Sequence, residues 1–245
     1  MDILHTYLYC YNEEKLLPYV LNHYNTISDL IYVYDNGSTD SSDEIYKRYD
    51  KIKVIKYFTD TFDELDFVKR KSNDYKQSRG VANWVAICDV DEIIDHPQLK
   101  NFLNKYTENN ITMADLNAQW LVGTDWGNPE KDTIFQIMKF RSCKEPHNGK
   151  AQLISPNIDI EYGPGCHTFK CNKYLKSKKE IYTFHCQMYD SDYIFKRNQT
   201  FAKRKSERTK KFGYDFHWGW NKDQLLLPIK NIVDKGILFN STDIK

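Results

Sequence analysis

The chain has 245 residues, with 35 Lys and Arg against 34 Asp and Glu, giving a formal net charge of +1 at neutral pH. That length supplies one sizeable core, and the balanced charge gives no global field toward nucleic acid or a membrane surface. The sequence has no basic leader followed by an apolar stretch and no apolar run of about 20 residues, so it reads as a cytoplasmic protein. Its six cysteines, at 10, 88, 143, 166, 171 and 186, form no Cys-x-x-Cys pair. With Cys10 and Cys88 inside strand-like runs, reduced thiols are expected rather than a zinc site or a disulfide framework.

Residues 3–11 form the first predicted strand, rich in β-branched and aromatic side chains. Asn12 is suited to cap a helix opening on Glu13 and Glu14, which Pro18 restarts and which buries Leu17, Val20, Leu21 and Tyr24. Residues 30–34 make a second strand, stopped by the turn signal Asp35-Asn36-Gly37-Ser38. A short helix to about Tyr49, a strand over 52–58, a polar helix over 66–77 and a strand over 84–89 follow. Strands alternating with helices predict a doubly wound, mostly parallel α/β sheet.

Beyond a helix over 97–106 the pattern changes. Strands are expected over 113–122 and 133–141, paired antiparallel across a connection at 123–132, with shorter strands at 152–154 and 180–185. Helices over 190–211 and 221–235 close the chain. The organisation is one domain, with a first half over 1–95 and a second over 96–245 that carries a smaller antiparallel and helical elaboration.

In a parallel sheet, ligands bind beyond the carboxyl ends of the strands. Tyr11-Asn12-Glu13, Asp35-Asn36-Gly37-Ser38 and Asp89-Val90-Asp91-Glu92 all fall there. Residues two apart on a strand share a face, so Asp89 and Asp91 point into one site, and two such carboxylates repel unless a cation lies between them. Hard oxygen ligands suit Mg²⁺ or Mn²⁺. The sequence has neither a Gly-x-Gly-x-x-Gly nor a Gly-x-x-x-x-Gly-Lys, which leaves side chains and metal to hold a nucleotide.

The order of these motifs resembles the nucleotide-sugar glycosyltransferases of GT-A fold, and within them the glycosyltransferase family 2-like proteins of surface-glycan pathways. The likeness extends through Lys71-Ser-Asn73, Gly165-Cys-His167, Phe184-His185-Cys186 and Tyr193-Ile-Phe-Lys196-Arg197. It implies a nucleotide-diphosphate sugar donor and a glycan or glycolipid acceptor. Tyr11, Asn12 and Glu13 would line the base and ribose pocket, and Asp35 would contact the base or ribose. Lys71 would be a basic nucleotide contact, Asp89 would meet ribose or metal, and Asp91 would ligate the metal. A C-terminal histidine, His185 or His167, would complete the metal shell.

The departure lies at the general base, since the acceptor region has no Glu-Asp pair. Asp125, beside Trp126 in the 123–132 connection, is the expected base, with Asp190, Asp192 and Asp215 as the next carboxylates. Trp120, Trp126, Trp218 and Trp220 are candidates for stacking on sugar rings. The basic run 196–211 reads either as a solvated helix face or as a peripheral membrane contact. A binding module that kept the fold without catalysis is the alternative reading; a nucleic-acid partner is not expected.

Overall fold

Alternation along the first strand sets how the sheet is buried. In β1 (Leu4–Cys10), Leu4, Leu8 and Cys10 join one core cluster with Leu17, Val20, Leu21 and Tyr24 of α1 (Leu17–Ile27). Tyr7 and Tyr9 enter a second cluster with Tyr32 and Tyr34 of β2 (Leu30–Asp35). Tyr7 stacks on Tyr32 at 4.8 Å and Tyr9 on Tyr34 at 5.2 Å between ring centroids. Both faces are covered, as a parallel sheet requires.

The computed structural model describes residues 2–142, 150–214 and 216–240; Cys143 and Asp215 lie outside the described residues. After β2 come α2 (Ser42–Tyr46), β3 (Ile52–Lys56), α3 (Glu64–Lys71) and β4 (Trp84–Asp89). Strands β3, β2, β1 and β4 lie side by side and parallel. Then follow β5 (Glu92–Asp95), α4 (Leu99–Glu108), β6 (Met113–Gly123), α5 (Ile134–Ile137), β7 (Met138–Arg141), β8 (Leu153–Ile154), β9 (Ile160–Tyr162), β10 (Phe169–Cys171) and β11 (Lys176–Met188). The sheet continues from β4 through β8, β6 and β11 to β5, with β7 paired to β6; β9 and β10 form a separate hairpin. Helices α6 (Ser191–Arg204), α7 (Glu207–Lys211) and α8 (Lys222–Asp234) end the described chain. The expected α/β class and mostly parallel half hold, as does the antiparallel pairing of β6 with β7.

Several elements differ from expectation. Asn12 does not cap α1, which starts at Leu17 with Pro18 in its first turn. The expected strand over 133–141 opens with a helical turn, because Thr133 and Gln136 form a capping box. The long helix over 190–211 is broken, since Ser206 caps a new helix by accepting from the Thr209 amide. The five described cysteines are free thiols, and among the described residues no helix is long and apolar enough to cross a membrane.

Asp74 borders the tyrosine face, where Tyr9 Oη donates to its Oδ2 at 3.3 Å. Burial pushes the Asp74 carboxyl up to about 6. The folded state therefore favours the protonated form, and that stability is full below pH ~4 and lost as pH rises through 6. Asp74→Asn is expected to gain about 1–2 kcal/mol over wild type at pH 7 and nothing at pH 4. Thermal unfolding at the two pH values checks this; an equal difference at both would contradict it.

Candidate active site

Pairing brings the ends of three strands level: Cys10 lies beside Asp35 and Tyr9 beside Asp89. The loops that leave them are tied together. Asn12 takes a left-handed conformation (φ 54°), which Asn tolerates. Its amide donates to Ser38 Oγ at 3.0 Å, and its Oδ1 accepts from the Thr39 amide at 2.7 Å. Gly37, at φ 73°, makes the turn between them, and a Cβ there would meet the Phe58 ring at 2.7 Å.

A cavity of about 800 Å³ opens at these ends. It brings together Tyr11, Glu13, Lys71, Asp89, Asp91, His167 and His185, whereas Asn12, Asp35 and Asp125 do not border it. Asp89 and Asp91 do not share a strand face. Asp89 ends β4, and Asp91 sits in the turn before β5, where its carbonyl accepts from the Cys186 amide at 2.7 Å. The chain reverses there, and each acid meets its own partners.

Lys71 Nζ lies 2.6 Å from Asp89 Oδ1, with its own side chain 3% exposed. Asp91 Oδ2 lies 3.3 Å from His185 Nε2 and 3.2 Å from Arg197 Nη2. Burial would raise the Asp91 pKa, but the charges of His185 and Arg197 outweigh it and hold the carboxyl well below its usual range. For His185, burial disfavours the charged ring, yet Asp91 raises its pKa. Glu13 is buried and held by Arg197 Nε at 2.6 Å and Tyr193 Oη at 3.1 Å. Burial drives its carboxyl upward against the pull of Arg197. Glu92 accepts from Lys150, Gln152 and the Asp89 amide.

Arg197, Glu92, Lys150 and Gln152 were not singled out from sequence. Arg197 had a signal, lying within the family-like stretch 193–197; Lys150 had none. Arg204 stacks over the Tyr11 ring at 3.8 Å and donates to the Thr59 carbonyl at 2.7 Å. Arg208 pairs with Asp63 at 2.5 Å, so Arg197, Arg204 and Arg208 of the basic run all serve internal contacts.

The remaining expected residues are placed as follows. Asp35 is fully buried; its Oδ1 accepts from the Ser38 amide at 2.7 Å, and its Oδ2 has no hydrogen-bond partner among the described residues. His167 is exposed at the cavity edge beside Gly165. Trp120, Trp218 and Trp220 border the cavity, and Trp126 instead donates to Asp190 Oδ2 at 2.9 Å. Among the described residues no three His, Cys, Asp or Glu side chains form a ready metal cluster. Asp91 and His185 nonetheless offer an oxygen and a nitrogen close enough for one divalent ion to share.

A mostly parallel α/β sheet with acids and cations around a cavity at its strand ends defines a nucleotide-type binding enzyme fold. The sequence matches the description Glycosyl transferase family 2 over residues 7–196, and the chain belongs to that family. It is a glycosyltransferase that uses a nucleotide-sugar donor, and the expected GT-A fold holds. Among solved structures, S. aureus TarS 1-349 is similar at 16% identity and a TM-score of 0.46, over 85% of this chain and 68% of that one. Glucosyl-3-phosphoglycerate synthase from Mycobacterium tuberculosis, in complex with Mn²⁺, UDP and glucosyl-3-phosphoglycerate, is similar at 16% identity and a TM-score of 0.34. That likeness covers 47% of this chain and 43% of that one. No curated protein sequence matches the chain.

Asp125 lies outside the cavity. It is exposed, and its Oδ1 accepts from the Gly127 amide at 3.1 Å, the local turn contact of a loop-capping Asp. Asp125→Asn is therefore expected to transfer sugar within about twofold of the wild-type rate, since the turn bond survives and no cavity group is lost. A fall of about 10²-fold in a rate assay would restore Asp125 as the base.

Proposed function

We propose that this protein moves one sugar, with inversion, from a nucleoside-diphosphate donor to a hydroxyl of a glycan or glycolipid in surface polysaccharide or glycoconjugate synthesis. The observation that carries the reading is the Asp91–His185 pair, 3.3 Å apart at the strand-end cavity. These two residues would hold Mn²⁺ or Mg²⁺, which when bound offsets the charge of the diphosphate leaving group.

The chain's own residues would do the rest. Lys71 holds Asp89 in place for a ribose or metal contact. Tyr11, backed by Arg204, offers a ring at the nucleoside end of the cavity. Asp35, fully buried with its Oδ1 accepting from the Ser38 amide, would shape the nucleoside-side loop without bordering the cavity. Trp120, Trp218 and Trp220 present aromatic surface to acceptor sugars. The acceptor oxygen bonds to the anomeric carbon as the bond to the diphosphate breaks on the opposite side. The electron pair leaves with the diphosphate, and the acceptor proton passes to solvent. Peripheral membrane contact would rest on the charges of the basic run that remain exposed, among them Lys196, Lys203 and Lys211.

Two measurements check this. Transfer from a panel of UDP- and GDP-sugars should require Mn²⁺ or Mg²⁺ and be abolished by EDTA or by Asp91→Ala with the fold intact. Full activity under either condition would remove the metal mechanism, and a metal-independent binder of nucleotide sugars with no turnover would favour the binding-module reading. In calorimetry, His185→Ala should weaken Mn²⁺ and nucleoside-diphosphate binding together, and His167→Ala should do so less. The reverse ranking would move the ligand role to His167.

A further inference from the structure

Lys150 belongs to none of the motifs, yet it borders the cavity with 21% of its side chain open. Its Nζ lies 2.5 Å from Glu92 Oε1. Glu92 is fixed in turn: its Oε2 accepts from Gln152 Nε2 at 2.7 Å and from the Asp89 amide at 3.0 Å. Gln152 Oε1 then accepts from Thr183 Oγ1 at 2.9 Å. An ammonium carries three donors. Among the described residues Glu92 is the one hydrogen-bond partner of Lys150, so two donors remain for a ligand.

The other cations at the site are committed. Lys71 is 3% exposed and enclosed by Asp89 and the rings of Tyr9 and Phe67. Arg197 is divided between Glu13 and Asp91. Four carboxylates (Glu13, Asp89, Asp91, Glu92) against Lys71, Lys150 and Arg197 leave the cluster about one charge negative before any contribution from His185, and a divalent ion would turn it positive. That field then suits a polyanion.

Position narrows which part of the polyanion. The nucleoside-side loops follow β1 and β2, whereas Lys150 leads into β8, on the far side of β4. The charge of Lys150 also acts on Asp91 and His185, the residues suited to a metal. We infer that Lys150 binds the distal phosphate of the donor's nucleoside diphosphate and steadies it as the leaving group. This rests on the donor reading above.

The test is calorimetric titration of the full chain, in Mn²⁺, with UDP, GDP, CDP and dTDP and with the matching monophosphates. Lys150→Met should weaken the preferred diphosphate about 10- to 100-fold while leaving its monophosphate within about twofold. Lys150→Gln, which keeps a donor for Glu92 but no charge, should behave alike, and Lys150→Arg should recover most of the loss. Equal losses for diphosphate and monophosphate would make Lys150 a brace for Glu92 and overturn the inference, as would unchanged affinity for both. If the wild-type chain binds none of these nucleotides, the donor reading itself falls and the inference with it.

Discussion

Four acidic side chains converge where parallel strands end, and that convergence is the constraint on which the rest of the site depends. Glu13 and Glu92 are buried there and Asp91 nearly so, and carboxylates in such a place need cations beside them. The cations come from distant parts of the chain: Lys71 from α3, Lys150 from the approach to β8, His185 from β11 and Arg197 from α6. Magnitudes separate these pairs from the surface ones. An exposed pair such as Lys47–Glu44 is worth at most about 1 kcal/mol, whereas removing one partner from a buried pair such as Lys71–Asp89 costs about 3–5 kcal/mol. Charge compensation therefore joins the first 95 residues to the rest of the chain.

Helix α6 shows the same constraint as architecture. Tyr193 and Arg197 reach Glu13, Arg197 also reaches Asp91, and Arg204 covers Tyr11. Below them the backbone continues the closure, with the Phe62 amide donating to the Arg204 carbonyl at 2.5 Å and the Glu64 amide to Thr209 Oγ1 at 3.0 Å. One helix thus closes the cavity and supplies part of its charge. The basic run looked like a solvated face because sequence periodicity does not reveal which charges find carboxylates 100 or more residues away.

The first 95 residues were legible because two local signals agreed there. Short apolar runs rich in β-branched and aromatic residues marked β1 to β4, and three of them, β1, β2 and β4, ended in a cluster of polar residues. The chain beyond residue 95 resisted for a physical reason. Strand β11 pairs with β6 in parallel and with β5 antiparallel, and such long-range register leaves no local trace. Strand β5 was missed since Glu92 to Asp95 is only four residues long and begins on a buried acid. Asp125 drew attention by its company, between Thr124 and Trp126, and the fold sets it outside the cavity with its Oδ1 accepting from the Gly127 amide. Lys150 had no neighbouring pattern at all, and only the fold brings it to Glu92.

Strand parity explains why two acids that look equivalent in sequence meet different fates. Asp35 and Asp89 both end buried parallel strands. Asp35 follows Ile31 and Val33, which pack in the cluster of Leu8, Cys10 and Tyr46, so its carboxylate belongs to the α1 face of the sheet. Asp89 follows Val85 and Ile87, which pack with Tyr7 and Tyr9, so it belongs to the cavity face. One acid is therefore fully buried with an oxygen unpartnered among the described residues; the other is 33% exposed and paired with Lys71. A one-residue shift in β2 would exchange Asp35 for Asn36 on that face and reverse every side chain before it. The apolar alternation that buries the sheet thus decides which strand-end acid meets the cavity and which lies beneath it.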